Sequence, residues 1–353
     1  MSDSYAQALS GGSQGLSRAE VTQLKAEIAQ ENTELAPFEV QWRDRQEFLE
    51  RRGYVLRARY HPGWVASWKE NPELDPSTCE DYHTPPLRPN HIDARRRDDN
   101  ALVYIKRLYT DSEEARIARY LYRPEVHAEE RNHSVPILDF FQDEESKEAS
   151  YLVMPFLLPM DYPPFQLVGE VCQFVDQTLE GLVFMHEQGV AHRDCTLENI
   201  MMDANSMFPS GFHPVAHDRL PDGRTWALQK PRCKSRVKYY FIDFGISVRK
   251  PAGAPARFTT GVDGREKSVP ELSPDVPYDP FKVDVYILGK LLQRVFLAKY
   301  NNVEFLRPLV EYMTTKRADE RPDAAQVLGQ PGTRQLQWHF FWTRAASRLL
   351  PSG

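Results

Sequence analysis

Cysteine is scarce in this chain and shows no pairing pattern. Cys79, Cys172, Cys195 and Cys233 are widely scattered, with no C-x-x-C spacing. That excludes a disulfide framework and fits reduced thiols in a soluble, intracellular protein. Long apolar runs are also missing. The best, Tyr151 to Met160, is far too short to span a bilayer, so no transmembrane segment is expected. Met1 to Gly15 is rich in Ser and Gly and lacks the apolar core of a secretory signal. Positive charge is not in excess: the formal net charge is −6, which gives no global basic footprint for nucleic acid or an anionic membrane. Glycine, finally, is absent from Trp64 through Ile105, and that local absence bears on the chemistry below.

What remains is a soluble globular composition, 41% hydrophobic and 27% charged over 353 residues. It suits one large two-lobed domain with extensions or two ordinary domains. Residues 1–16 are expected to be disordered. Ser17 to Glu20 forms a capping box ahead of Val21, Leu24 and Ile28, which share one helical face. A second short helix is expected from Pro37 to Gly53, carrying Trp42, Phe48 and Leu49 on its apolar side. Tyr54 to Tyr60 alternates and predicts a strand, and residues 70–90, rich in Pro, Asp and Asn, predict a long loop. Ile92 to Arg97 and Ala101 to Leu108 read as a β-hairpin turning at Asp98-Asp99-Asn100. A helix is expected over Ser112–Tyr122, strands over Ile137–Phe141 and Tyr151–Met154, and a long helix over Val168–Gln188. A small sheet followed by a helical body places the chain in the α+β class.

Two motifs carry chemistry. His192-Arg193-Asp194 with Asn199 reads H-R-D-x-x-x-x-N, and Asp243-Phe244-Gly245 follows it. Phosphoryl transfer needs one carboxylate beside the incoming hydroxyl, and an amide plus a second carboxylate to hold magnesium on the phosphates. Asp194, Asn199 and Asp243 are that set of residue types in that order. The pair resembles the catalytic signatures of the eukaryotic protein kinase family, most of all its divergent fungal protein kinase-like members.

The resemblance extends along the chain. Tyr104-Ile105-Lys106 is similar to the family's V-A-I-K strand, which implies that Lys106 pairs with the nucleotide phosphates. Its partner is implied to be Glu113 or Glu114, with Glu114 favoured because Ile117 and Leu121 then fall on the packing face. Leu152 to Leu157 resembles the hinge, about 154–158, with Met154 as gatekeeper and Pro155 and Leu157 offering main-chain groups to adenine. Val269-Pro270-Glu271 resembles A-P-E, Asp284 to Gly289 resembles D-x-W-x-x-G, and Arg321 stands where the family's partner of that glutamate falls. The resemblance implies a bilobal protein-kinase-like fold, a small β-rich lobe and a larger helical one. It places a kinase domain at 91–330 between an N-terminal extension at 17–90 and a tail at 331–353. ATP and Mg2+ are the implied cofactors, and the implied substrate is a protein bearing Ser or Thr hydroxyls.

Three departures stand against this. The Gly-rich phosphate loop should fall near Thr84, Pro86 and Pro89, a stretch of prolines that lack N–H groups to donate. Another cover, the Tyr54–Trp68 region with His61-Pro62-Gly63, is the alternative. The position two after Asp194, a lysine in Ser/Thr kinases that steadies the transferred phosphoryl group, is Thr196. Glu198 stands two further on, so the tyrosine-kinase arginine is absent as well. An insert at 203–240 contains His213, His217 and Cys233, read as a solvated loop rather than a metal site, and a basic run at 230–238 suited to an acidic partner. Thr259, Thr260 and Ser268 are candidate phosphate acceptors for Arg193, Arg257 or Arg265. The aromatic C-terminal stretch Leu336–Leu350 is expected to pack on the large lobe. The competing function is a pseudokinase scaffold that acts through partner binding.

Overall fold

The computed structural model describes residues 32–71, 73–84, 89–250, 258–330 and 347–352. The expected disorder at 1–16, the helix from Ser17 to Ile28 and the aromatic residues Trp338 to Trp342 lie outside the described residues.

Pro37 opens helix α1 (Pro37–Arg43) at a first-turn position, where its missing N–H has no helical partner to lose. After a break at Asp44-Arg45 the chain continues as α2 (Gln46–Arg51). It leaves through Gly53 at φ +89°, a conformation that side chains resist. Trp42, Phe48 and Leu49 on these helices are buried. They cover one face of an antiparallel sheet: β1 (Tyr54–Val55), β2 (His91–Arg96), β3 (Leu102–Tyr109), β4 (Asp139–Gln142) and β5 (Ala149–Pro155), in spatial order β1-β2-β3-β5-β4. Aromatic contacts hold this cover down: Phe48 meets Phe141 edge-on at 5.8 Å and Tyr54 stacks on Phe141 at 5.9 Å. The N-terminal segment thus contributes a strand and a core to the small lobe.

The strand expected from Tyr54 to Tyr60 stops at Val55, and Ala58–Tyr60 is a 3-10 turn. Two arginines of that stretch, Arg57 and Arg59, turn inward. Arg57 donates from Nε to Asp93 at 3.0 Å and from Nη1 to the His83 carbonyl at 2.6 Å. Arg59, fully buried, is held by both oxygens of Glu39 at 3.0 Å and by the Asp81 carbonyl. Satisfying those guanidiniums pulls the chain out of the sheet. The expected hairpin does form, with Asn100 at φ +57° in its turn. Helix α3 (Glu113–Leu121) follows β3, capped by the Ser112 hydroxyl, which accepts the Ala115 N–H at 3.2 Å.

The larger lobe is built on α4 (Val168–Glu187), whose Phe174, Val175, Leu179, Leu182 and Met185 are inaccessible to solvent. Short strands carry the loops that matter: β6 (Leu158–Pro159), β7 (Val190–Ala191), β8 (Ile200–Asp203), β9 (Lys238–Phe241), β10 (Val248–Arg249), β11 (Thr259–Gly261) and β12 (Ser273–Tyr278). They pair as β6-β8-β9, β7-β10 and β11-β12. Helices α5 (Pro280–Leu292), α6 (Arg307–Met313) and α7 (Ala324–Gly329) complete the lobe. Among the described residues no helix is long and apolar enough to cross a membrane.

One group in α4 opposes folding at neutral pH. Asp176 Oδ1 is buried without a hydrogen-bond partner, and burial, with Glu180 nearby, pushes its pKa up to about 7. The folded protein therefore keeps a proton that an unfolded aspartate releases near pH ~4, so stability declines as pH rises from there to about 7. Asp176→Asn is expected to raise the urea midpoint at pH ~8, with the gain shrinking toward pH ~4. Equal gains at both pH values would show that charge is not the cause.

Candidate active site

The site begins with a carboxylate inside the large lobe. Asp284 on α5 is fully buried and accepts the main-chain N–H of His192 at 2.7 Å, that of Arg193 at 2.5 Å and the His186 ring Nε2–H at 3.0 Å. Those bonds fix the loop between β7 and β8, where Arg193 sits at φ +68°. Asp243, after β9, sits at φ +63°. Side chains rarely adopt this region, and it persists where surrounding bonds over-determine the backbone. His192 joins the two strained loops: its Nε2 donates to the Ile242 carbonyl at 2.9 Å and its Nδ1 accepts the Asp194 N–H at 3.3 Å. Phe244 is buried against the His192 ring, with centroids 5.2 Å apart.

Of the predicted residues, Lys106, Glu114, Met154, Asn199 and Asp243 line one cleft, and Asp194, outside that lining, is hydrogen-bonded to Asn199 and Arg265, which belong to it. Lys106 on β3 places its Nζ 2.5 Å from Glu114 and 2.9 Å from Asp243. Of the two glutamates left open by the sequence, Glu114 faces Lys106, whereas Glu113 pairs with Arg116 on the surface. Burial alone would lower the Lys106 pKa, but Glu114 and Asp243 outweigh it and hold the ammonium above the ordinary lysine value. Burial likewise opposes ionisation of Asp243, and Lys106 reverses this and lowers its pKa. Both groups are therefore charged at neutral pH. Asp194 accepts the Asn199 amide at 2.8 Å through Oδ2 and the Arg265 main-chain N–H at 2.8 Å through Oδ1. With both Asn199 bonds made through its nitrogen, the carbonyl oxygen is left for other use, as is Asp243 Oδ2. An amide oxygen and a carboxylate oxygen are hard donors that suit magnesium completed by phosphates and water.

The cleft has two adjoining halves. The polar one, about 280 Å³, is lined by Lys106, Glu114, Asn199, Asp243 and Arg265. The apolar one, about 220 Å³, lies along the hinge between Tyr104, Met154, Pro155, Leu157 and Met201. Tyr104 stands at the alanine of the V-A-I-K pattern, a signal present in the sequence but passed over. Its ring stacks on His91 at 5.4 Å and meets Phe156 edge-on at 5.7 Å. The hinge half is thus roofed by aromatic rings where the family has a methyl group.

No glycine-rich turn joins β1 to β2; the connection is residues 56–90, and Pro85 and Pro86 lie outside its described part. Pro89 and Asn90 line the polar half, and Pro89 is anchored through its carbonyl by Trp42 Nε1 at 3.1 Å. His61, Pro62 and Gly63 are exposed and absent from the lining of either half, so the alternative cover does not reach the cleft.

The insert at 203–240 is not a solvated loop. His213 is fully buried and its Nε2 lies 3.3 Å from Glu80 of the small lobe, while His83 Nε2 lies 3.4 Å from the Gly223 carbonyl. Phe212 and His217 pack on Phe156 of the hinge. The insert therefore closes the front of the hinge. Its polar composition hid this, because the buried Met207, Phe208, Phe212 and His213 are scattered among polar residues. Among the described residues no three His, Cys, Asp or Glu side chains group as metal ligands. Within the basic run, Arg232 is buried and binds the Met160 and Pro163 carbonyls and the Tyr239 hydroxyl. Lys230, Lys234 and Arg236 remain exposed.

The described parts of the segment after Asp243 are held by Arg193. Arg193 donates to the Ile246 and Thr260 carbonyls at 3.0 Å and to the Tyr278 hydroxyl at 2.7 Å. Thr260 is exposed, Ser268 binds Glu266 at 2.5 Å, and Arg257 lies outside the described residues. The segment ends on the expected ion pair, with buried Arg321 holding Glu271 at 2.5 and 3.0 Å.

A small β-rich lobe over a helical lobe, with these loops at the seam, defines a protein kinase domain. The family model described as Protein kinase domain matches residues 91–303, and the chain belongs to that family. It is similar to the Serine/threonine-protein kinase chk1 of Schizosaccharomyces pombe, 27% identical over 53% of this chain and 32% of that one. It also resembles the Serine/threonine-protein kinase ppk8 of the same yeast, 30% identical over 32% of this chain and 17% of that one. Sperm motility kinase 3A of Mus musculus is 24% identical over 55% of this chain and 38% of its own length. The chain thus spans well under half the length of these relatives.

Asp284→Ala would strand two buried N–H groups and a histidine. The expected cost is about 3–5 kcal/mol of unfolding free energy, measured by urea denaturation. A loss within experimental error would mean that the loop holds itself.

Proposed function

We propose that the protein transfers the γ-phosphoryl group of ATP, with Mg2+, to Ser or Thr hydroxyls of a protein substrate. The observation that carries this reading is Lys106 bridging Glu114 and Asp243 across the two lobes, with Asn199 in the same cleft and Asp194 hydrogen-bonded to it. That is an assembled site, and assembling such a site is most of what phosphoryl transfer asks of a protein. Lys106 holds the α- and β-phosphates and Glu114 fixes its position. Asn199 and Asp243 hold the metal, which when bound neutralises charge on the phosphates. Asp194 accepts the proton of the attacking hydroxyl. The Pro155 carbonyl and the Leu157 N–H, beside Met154, meet adenine under the Tyr104 ring. The names of the relatives favour Ser and Thr over Tyr. The exposed Lys230, Lys234 and Arg236 are the place for an acidic partner.

Tyr104 and the missing glycine turn favour a second reading, a pseudokinase scaffold with little or no turnover. Radiolabel transfer and Mg-dependent ATP binding, compared in wild type, D194N and K106M, decide between them. Catalysis predicts transfer by wild type that falls at least ~10²-fold in D194N, whose fold and ATP binding persist. K106M is expected to lose both binding and transfer. Wild type that binds no ATP with magnesium, or transfer surviving both substitutions, would overturn the enzyme reading.

A further inference from the structure

Two cations line the polar half of the cleft: Lys106 from the small lobe and Arg265 from the segment between β11 and β12. The residue two after Asp194 is not a third. Thr196 carries no charge, and its hydroxyl is buried without a hydrogen-bond partner. Arg265 stands beside the same carboxylate. Its main-chain N–H donates to Asp194 Oδ1 at 2.8 Å, and its guanidinium Nε lies 3.6 Å from Asp194 Oδ2. Gly264 makes the approach possible, because a Cβ there would come within 2.8 Å of the Arg193 carbonyl. The glycine lets this segment press onto the catalytic loop and deliver its next residue to the carboxylate.

We propose that Arg265 is a catalytic residue of the phosphoryl transfer assigned above, and the inference rests on that reading. Its guanidinium supplies, from the activation segment, the positive charge that Thr196 cannot. The guanidinium is 55% exposed and only loosely paired with Asp194, a weak contact in water. A transferring phosphoryl group offers several charged oxygens and a planar geometry that matches the guanidinium fork, so it draws the side chain from the single carboxylate. The main-chain N–H stays on Asp194 and keeps its other oxygen aimed at the acceptor hydroxyl. The chemistry is unchanged: the phosphorus–oxygen bond to ADP breaks, the bond to the substrate oxygen forms, and the hydroxyl proton goes to Asp194.

The test compares full-length wild type, R265Q, R265K, T196K/R265Q and D194N in phosphoryl transfer. Isothermal titration of the same proteins with Mg·ADP, with and without aluminium fluoride, provides a measurement independent of turnover. A preorganised donor of this kind is worth roughly 10²-fold in kcat. R265Q should lose about that much with the KM for ATP little changed, and R265K should lose less. T196K/R265Q should recover most of the rate, which a merely structural arginine would not allow. Aluminium fluoride should tighten ADP binding in wild type, weakly in R265Q, and again in T196K/R265Q. R265Q as active as wild type, or more active, would mean that the arginine only plugs Asp194 at rest, and would overturn the proposal. So would absence of rescue by T196K in a folded protein, or fluoride tightening indifferent to Arg265. Wild type no more active than D194N, yet showing Arg265-dependent tightening, would overturn the assigned substrate and leave Arg265 supported. Wild type lacking both transfer and tightening would overturn both.

Discussion

The geometry of the cleft hangs on one buried carboxylate. Removing Asp284 from water is costly, and the cost is offset only by the donors that surround it, two from the catalytic loop and one from His186. That need is what holds Arg193 at positive φ. With Arg193 fixed, its guanidinium reaches forward to Ile246, Thr260 and Tyr278, and Asp194 is turned toward Asn199 and the activation segment. The chemistry-bearing side chains therefore owe their placement to a residue that none of them touches through its own side chain.

Much of this was legible in the sequence because it rests on local patterns. The hairpin at residues 91–109, the α3 cap at Ser112 and the apolar stripe of α4 follow from spacing alone, and the H-R-D and D-F-G motifs carry the loops between them. What failed to show depends on partners distant in the chain. Arg57 and Arg59 looked like part of a strand because nothing nearby announces Asp93 and Glu39. The insert looked solvated because its few apolar residues, Met207, Phe208 and Phe212, are scattered among polar ones, and Glu80, the partner of His213, lies far back in the chain. Arg265 gave no local signal, since its proximity to Asp194 exists only when the segment folds back. Tyr104 was different, for its bulk was in plain view within the lysine motif.

The two halves of the cleft make different demands. At the Lys106 end one ammonium lies between two carboxylates, Glu114 and Asp243, and holds them together with a net negative charge left over. At the hinge end the rings of Tyr104, His91 and Phe156 occupy the space above Met154 and Leu157. That half therefore combines π-surfaces with the aliphatic side chains of Met154, Leu157 and Met201, a lining suited to a flat apolar group.

The insert has a mechanical meaning. A two-lobed body joined by a single strand behaves like a door on one pin and can swing, twist or splay. Here the connection from the end of β5 to the start of β6 is one pin, and the meeting of His213 with Glu80 and Gly223 with His83 is a second. Two pins define an axle. While both hold, splaying of the lobes on the hinge side is resisted, and opening is left to the side of the cleft where Lys106 meets Asp243.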